Sequence, residues 1–173
     1  MKETLKILCC GYSEIDQNSI SELNLIKLDA QDNKKINNVN HMKKILKILN
    51  CGWSCGIDQN SISELNLIEL DAASNEKIKN VNHMKNTLKI LNCDGDCGID
   101  QKDISQLNLI ELSAYGNKKI NNVNHMKKIL KILNCGWSCG IGEEGISELK
   151  LERLSTGYNG RFKNEESVDP WYW

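Results

Sequence analysis

The sequence predicts an α/β fold: a right-handed solenoid of about eight coils, with a parallel sheet on its concave face and short helical or 3-10 turns on its convex face. Two observations predict it. The segment Val-Asn-His-Met occurs three times with a period of 42 residues, around His41, His83 and His125. A leucine also recurs at matching places in both halves of this unit. Sequence periods of about 20 to 50 residues are typical of solenoids, in which stacked repeats share one core.

The strands are predicted from the first six positions of each coil. Each 42-residue unit divides into two halves of about 21 residues, and the fourth position of every half is leucine, whereas the sixth is Cys, Ala or Thr. Positions four and six point to the same side of an extended strand. We therefore expect a short strand at the start of each coil, with these side chains buried. The coils begin at Leu5, Leu25, Leu46, Leu67, Leu88, Leu109, Leu130 and Leu151.

The return segments of odd and even coils differ in sequence. Odd coils contain Ser19-x-x-Glu22, Ser61-x-x-Glu64 and Asp103-x-x-Gln106. These resemble capping boxes, in which the first residue caps a helix, so they predict one helical turn. Even coils have apolar residues at a spacing of three, as in Ile78, Val81 and Met84. That spacing predicts an irregular or 3-10 segment.

The pattern resembles the leucine-rich-repeat consensus L-x-x-L-x-L-x-x-N/C-x-L, with one extra residue before the last apolar position. The length of the coils is similar to the short-repeat, internalin-like class. The wording Cys-Gly-Ile-Asp-Gln-Asn and Val-Asn-His-Met is similar to repeat proteins of large DNA viruses of amoebae. We expect residues 1–162 to form the solenoid and residues 163–173 to form an irregular C-terminal tail or partial cap.

Composition argues against several kinds of partner. The chain has 22 Lys and Arg against 23 Asp and Glu, a net charge of −1. No global field would therefore draw it to nucleic acid or to an anionic membrane. No apolar run approaches membrane-spanning length. The repeat begins at Leu5, which leaves no room for a signal peptide, so we expect a cytoplasmic protein, in the host cytoplasm if it is viral.

The cysteines suggest a metal site at first sight. Three Cys-x-x-x-Cys pairs recur, and two thiolates in a turn could supply half of a zinc site. One cysteine of each pair, however, falls in the small inward column, and the equivalent pairs lie about 10 Å apart, two coils away. We therefore expect free structural thiols, no metal ligand and no cofactor, and we keep metal binding as the less favoured alternative. The pairs are Cys51 and Cys55, Cys93 and Cys97, and Cys135 and Cys139.

The histidines and nearby lysines also fall in register. His41, His83 and His125 are expected about 10 Å apart, and no acidic column accompanies them. We interpret them as surface or turn residues rather than as ligands. The lysines would form a basic stripe along one flank, which is expected to be a solvated face balanced by acidic residues elsewhere.

The outward positions of the strands are the best candidates for function, because the fold is indifferent to their identity. Position three alternates isoleucine with charged residues, and we expect those isoleucines to be exposed. Position five is polar, and aromatic residues stand at or next to position eight. Trp and Tyr supply much of the binding energy of protein interfaces. We predict a partner-binding face made of Tyr12, Ile48, Trp53, Glu69, Asp71, Ile90, Asn92, Glu111, Tyr115, Ile132, Trp137 and Tyr158.

The sequence thus favours a non-enzymatic scaffold that binds another protein through its concave strand face. It contains no Gly-rich phosphate loop, nucleophile elbow or metalloprotease helix motif, and no catalytic residue is predicted. A structural protein that self-associates through uncapped ends is the alternative, because an open solenoid end exposes core and an unpaired strand.

Overall fold

A computed structural model describes residues 4–163, which form one parallel sheet of eight strands. Every strand is three residues long, and the strand order in the sheet is the order along the chain. This topology confirms the α/β solenoid of about eight coils. The strands are Ile7–Cys9 (β1), Lys27–Asp29 (β2), Ile48–Asn50 (β3), Glu69–Asp71 (β4), Ile90–Asn92 (β5), Glu111–Ser113 (β6), Ile132–Asn134 (β7) and Arg153–Ser155 (β8).

The return segments are short, as the sequence predicted. Two of the odd coils carry a single turn of α-helix, at Gln17–Ile20 (α1) and Gln59–Ile62 (α2). The other return segments with regular structure are 3-10 turns, at Asn40–Met42, Asn82–Met84, Lys102–Ile104, Asn124–Met126 and Glu143–Ile146. Within residues 4–163, no helix is long and apolar enough to cross a membrane.

The predicted helix caps were wrong by three residues. Asp16 and Asp58 are the N-caps of α1 and α2, and their carboxylates accept hydrogen bonds from the backbone N–H of Ser19 and Ser61. In the third example, Asp103 lies inside a 3-10 turn. The sequence contained an Asp-x-x-Ser pattern directly before each Ser-x-x-Glu pattern, and aspartate is as good an N-cap as serine.

The register of the strands stacks the leucines of position four directly on one another, for example Leu49 on Leu70. From β2 to β7 these leucines are buried, and each contributes about 1.5–3 kcal/mol. Leu8 and Leu154, in the first and last strands, are only partly buried because each has a strand neighbour on one side. The core is therefore shared between coils, and a coil without neighbours has none of its own.

Side-chain hydrogen bonds join each coil to the one before it. Asn75 is fully buried, and its amide donates to the carbonyls of Cys51 (2.7 Å) and Ile57 (3.2 Å) in the preceding coil. The imidazole Nε2 of His83 lies 3.1 Å from the carbonyl of Ile62, to which it donates. The same bonds recur in the other units. The repeated asparagines and histidines therefore stabilise the fold, since they donate hydrogen bonds to turn carbonyls that the backbone leaves unpaired.

The predicted tail or partial cap, residues 163–173, lies outside the described residues apart from Lys163, whose backbone N–H donates to Glu143.

Candidate functional site

In every coil, the residue at position eight has a left-handed backbone conformation. It lies three residues after the last residue of the strand. Gly95 and Gly116 occupy this position in coils five and six, with φ of 64° and 70°. Glycine adopts such angles without strain, whereas a bulky residue does so at a cost of about 1–3 kcal/mol. Nevertheless, four coils place an exposed aromatic residue there: Tyr12, Trp53, Trp137 and Tyr158, with φ from 47° to 60°.

The outer face of the sheet, formed by positions three and five, holds a groove of about 810 Å³ above β4 to β7. We call it the sheet groove. It brings together eight of the twelve residues that the sequence predicted for partner binding, and it leaves out Tyr12, Ile48, Trp53 and Ile132. Its lining residues are Glu69, Leu70, Asp71, Ile90, Leu91, Asn92, Asp94, Glu111, Ser113, Tyr115, Asn134, Trp137 and Tyr158.

One wall of the sheet groove is aromatic. The rings of Tyr115 and Trp137 stack with their centroids 6.5 Å apart and 19° between their planes. Tyr158 meets Trp137 edge-on, at 6.1 Å and 70°. Gly136 permits this arrangement, because a Cβ there would lie 3.0 Å from Cδ2 of Tyr115. Three coils therefore contribute to a single aromatic cluster, with each contact worth about 0.5–1.5 kcal/mol beyond burial.

The floor of the sheet groove is acidic. One carboxylate oxygen of Asp94 accepts hydrogen bonds from the Ser113 hydroxyl (2.6 Å) and the Tyr115 backbone N–H (2.7 Å). Burial raises the pKa of Asp94 to about 6 despite these bonds. Burial also raises the pKa of Asp71, whose carboxylate accepts from the backbone N–H of Ala73 and the amide of Asn92. Both groups are thus partly desolvated, with no cation among the residues that line the groove.

The sequence prediction missed Asp94, although a signal for it was present. The odd coils three and seven carry the same segment, Cys-Gly-Trp-Ser-Cys, at 51–55 and 135–139. The corresponding segment at 93–97 is Cys-Asp-Gly-Asp-Cys. Coil five therefore has a carboxylate where its copies have glycine, and glycine where they have tryptophan. A search for departures from the repeat, rather than for its outward columns, would have found Asp94.

The expected exposure of the position-three isoleucines was wrong for three of them. Ile48, Ile90 and Ile132 are half-buried, while Ile7 is 59% exposed. Each of the three has a long charged side chain on both neighbouring strands, as Ile90 has Glu69 and Glu111. Long charged side chains on neighbouring strands can shield an isoleucine with their methylene groups, which accounts for the partial burial.

Trp53 and Tyr12 lie away from the sheet groove. The position-eight neighbours of Trp53 are Asp32 and Ser74, and no aromatic ring contacts it among residues 4–163. The hydroxyl of Tyr12 accepts a hydrogen bond of 2.7 Å from the amide of Gln31. The N-terminal aromatics are therefore isolated or held by polar neighbours, unlike the cluster around Trp137.

The paired cysteines are buried, and the pKa of each is raised except that of Cys97, which a hydrogen bond with Cys93 lowers. None of the eight cysteines is in a disulfide, and Cys9 alone among them is exposed. Burial raises the pKa of Cys55, and it raises the pKa of Cys139 to about 11. A thiol must lose its proton to act as a nucleophile or metal ligand. In the part of the chain that the structure describes, no group of three or more His, Cys, Asp or Glu could hold a metal ion.

Three lysines of the basic stripe, Lys43, Lys127 and Lys131, are paired with glutamates of the following coil. Lys131 and Glu152 lie 2.6 Å apart, and Lys43 and Lys127 pair in the same way with Glu64 and Glu148. Exposed pairs of this kind add at most about 1 kcal/mol each. They neutralise part of the positive charge of this flank.

No protein-family model matches this sequence, and no curated protein matches it either. The sheet groove is therefore the feature of the molecule that indicates a function.

Proposed function

We propose that this chain is a non-enzymatic, leucine-rich-repeat scaffold that holds a partner protein in the sheet groove. The observation that carries the proposal is Trp137. Its side chain is 57% exposed, its backbone is left-handed, and its ring is held between Tyr115 and Tyr158 at the edge of the groove. A strained, exposed and rigidly held tryptophan has the properties of an interface hot spot.

The rest of the sheet groove supports a protein ligand. It combines apolar and aromatic side chains, those of Ile90, Tyr115 and Trp137, with polar and acidic groups from successive coils. Protein interfaces have this composition, with an apolar centre and a polar rim. The acidic residues disfavour nucleic acid, whose phosphates they would repel.

We also propose a reducing compartment, in agreement with the cytoplasmic location expected from the sequence. All eight cysteines lie within the described residues, and all are free. Proteins of oxidising compartments usually pair theirs.

The test compares Trp137→Ala with Trp53→Ala as baits in affinity purification from the native cell, followed by binding measurements with the purified partner. Trp53 is a matched control because it has the same sequence context and is 56% exposed. We expect a protein that wild type and Trp53→Ala retain and that Trp137→Ala loses, while a thermal melt shows that Trp137→Ala is still folded at the assay temperature. Equal retention by all three baits would contradict the proposal, and a Trp137→Ala variant that is unfolded at that temperature would identify the residue as structural.

Self-association is a second candidate, and one observation favours it. Strand β1 is at the end of the sheet, and Leu5 and Ile7 beside its open edge are 39% and 59% exposed. An unpaired strand edge can pair with another copy. Light scattering over a range of concentrations should then show oligomers that Ile7→Lys abolishes. A monomer at all concentrations would rule this candidate out.

A further inference from the structure

The sheet groove carries charge of one sign. Glu69, Asp71, Asp94 and Glu111 all line it, and among residues 4–163 no Lys or Arg does so. The whole chain is nearly neutral, at −1, and three flanking lysines, Lys43, Lys127 and Lys131, are paired with glutamates. The acidic character is therefore local to the groove, and it would repel an acidic ligand and attract a basic one.

The acidic floor is built by a departure from the repeat. In coils three and seven, position seven is glycine, and a Cβ there would lie 3.0 Å and 2.7 Å from a backbone oxygen of the next coil. Coil five nevertheless has Asp94 at this position, held by Ser113 and by the Tyr115 backbone. Position eight of the same coil is Gly95, so the large side chain of its copies is absent beside the carboxylate.

The aromatic wall meets the acidic floor at Tyr115. This residue contributes its backbone N–H to Asp94 and its ring to the stack with Trp137. A cation near these groups could therefore contact a carboxylate and an aromatic face together. Cation–π contacts of about 0.5–2 kcal/mol are strongest with tryptophan, and arginine makes them while it also bonds carboxylates in a bidentate manner.

We infer that the sheet groove binds an extended basic segment of a partner protein, with an arginine side chain placed against Asp94 and the aromatic wall of Tyr115 and Trp137. This inference rests on the proposed function and names the chemistry of the partner. Coils four to six each contribute an acidic residue to the groove, which suits a ligand that runs across the coils rather than a single small cation.

The test uses four fluorescein-labelled peptides in which arginine, lysine, citrulline or glutamate alternates with serine. Binding is measured by fluorescence anisotropy near neutral pH, with the full chain. We expect the arginine peptide to bind most tightly, about tenfold better than the citrulline peptide, which has the same shape without the charge. Equal binding of these two peptides would overturn the inference, and so would tighter binding of the glutamate peptide.

The variants Asp94→Asn and Asp96→Asn form a matched pair. Each removes one negative charge, but Asp96 is exposed and does not line the sheet groove. We expect Asp94→Asn to lower the affinity for the arginine peptide about tenfold, and Asp96→Asn to change that affinity less than twofold. Equal losses of affinity in the two variants would mean that binding depends only on the net charge of the protein, which contradicts the inference. Asparagine keeps the oxygen that accepts from Ser113 and Tyr115, and a thermal melt checks that the variant folds.

The outcomes separate this inference from the proposed function. Suppose that Trp137→Ala abolishes binding of a native partner, whereas Asp94→Asn leaves that binding unchanged and the arginine peptide binds no better than the others. The scaffold proposal then stands and the basic-segment inference fails. If Trp137→Ala changes neither peptide binding nor partner capture, both fail. If light scattering finds that a second copy of the chain fills the groove and Asp94→Asn does not disturb it, the inference is likewise overturned.

Discussion

Coils three and seven contain the same five residues, Cys-Gly-Trp-Ser-Cys, and yet their tryptophans lie in different surroundings. Trp53 and Trp137 have left-handed backbones, with φ of 60° and 47°, and nearly equal exposure. Trp137 packs between two aromatic rings beside an acidic groove, whereas the position-eight neighbours of Trp53 are Asp32 and Ser74. In a solenoid, the neighbours of a residue come from the coils before and after it. Copies of one repeat can therefore differ in function without a change in their own sequence.

The largest expected difference is in partner binding. Replacement of Trp137 by alanine should weaken binding of the partner by about 2 kcal/mol or more, which is at least about thirtyfold in affinity. The reason is that an interface tryptophan held by other rings is a typical hot spot. Trp53→Ala should cost less than about 0.5 kcal/mol. Isothermal titration with the purified partner measures both. Similar losses for the two variants would remove the distinction between the coils.

The next effect concerns Asp94, which coils three and seven lack. Its pKa is about 6 in the folded protein, against a usual 3.8. At a pH between these two values, Asp94 is therefore protonated in the folded protein and ionised in the unfolded chain. The stability due to this group is therefore present below about pH 4 and is lost as the pH rises through about 6. Asp94→Asn should raise the free energy of unfolding by about 1–2 kcal/mol at neutral pH and by nearly nothing at pH 4.

Denaturant unfolding at a series of pH values checks this prediction. The groups that act on Asp94 are Asp71, whose charge raises the pKa further, and Ser113 and Tyr115, whose hydrogen bonds lower it. Glu111 lines the same groove. An Asp94→Asn stability gain that is the same at pH 4 and pH 7 would show that the charge of Asp94 is not responsible.

A smaller effect separates backbone strain from ring contacts. Trp53→Gly should raise the free energy of unfolding by up to about 1 kcal/mol, because glycine relieves the left-handed backbone. Trp137→Gly relieves the same strain but loses two ring contacts worth about 0.5–1.5 kcal/mol each, so we expect it to be neutral or destabilising. Thermal and denaturant melts of the two variants measure the difference. The reverse order would mean that Trp53 has stabilising contacts comparable to those of Trp137.

The smallest effect is expected in the core, where the two coils are alike. Cys51 and Cys55 are fully buried, and so are Cys135 and Cys139. Burial raises the pKa of each of these four thiols, so the folded protein should alkylate at exposed Cys9 more rapidly than at any of them. Mass spectrometry after brief iodoacetamide treatment reports each site. Rapid labelling of the pair in one coil only would show that the coils differ inside as well as on the surface.

Much of the fold could be predicted because it depends on short-range patterns. The leucines of position four and the small residues of position six mark a strand in every coil, and the observed strands lie at those positions. The helix caps were less predictable, since Asp16 and Ser19 are both good cap residues and only the observed backbone distinguishes them. The outward columns predicted eight of the groove residues, but they also included Trp53 and Ile132, which lie outside the groove lining.

The sequence by itself determined the number of coils, their register and which side chains face inward, because a repeated apolar pattern can be buried in only one way. The tertiary structure decided which of two identical tryptophans stands at a groove, and it revealed Asp94 as part of its floor. That decision depends on Tyr115 and Tyr158, each about one coil away from Trp137 along the chain. Such contacts exist only after the coils have stacked, because adjacent parallel strands bring residues about 21 positions apart to within about 5 Å.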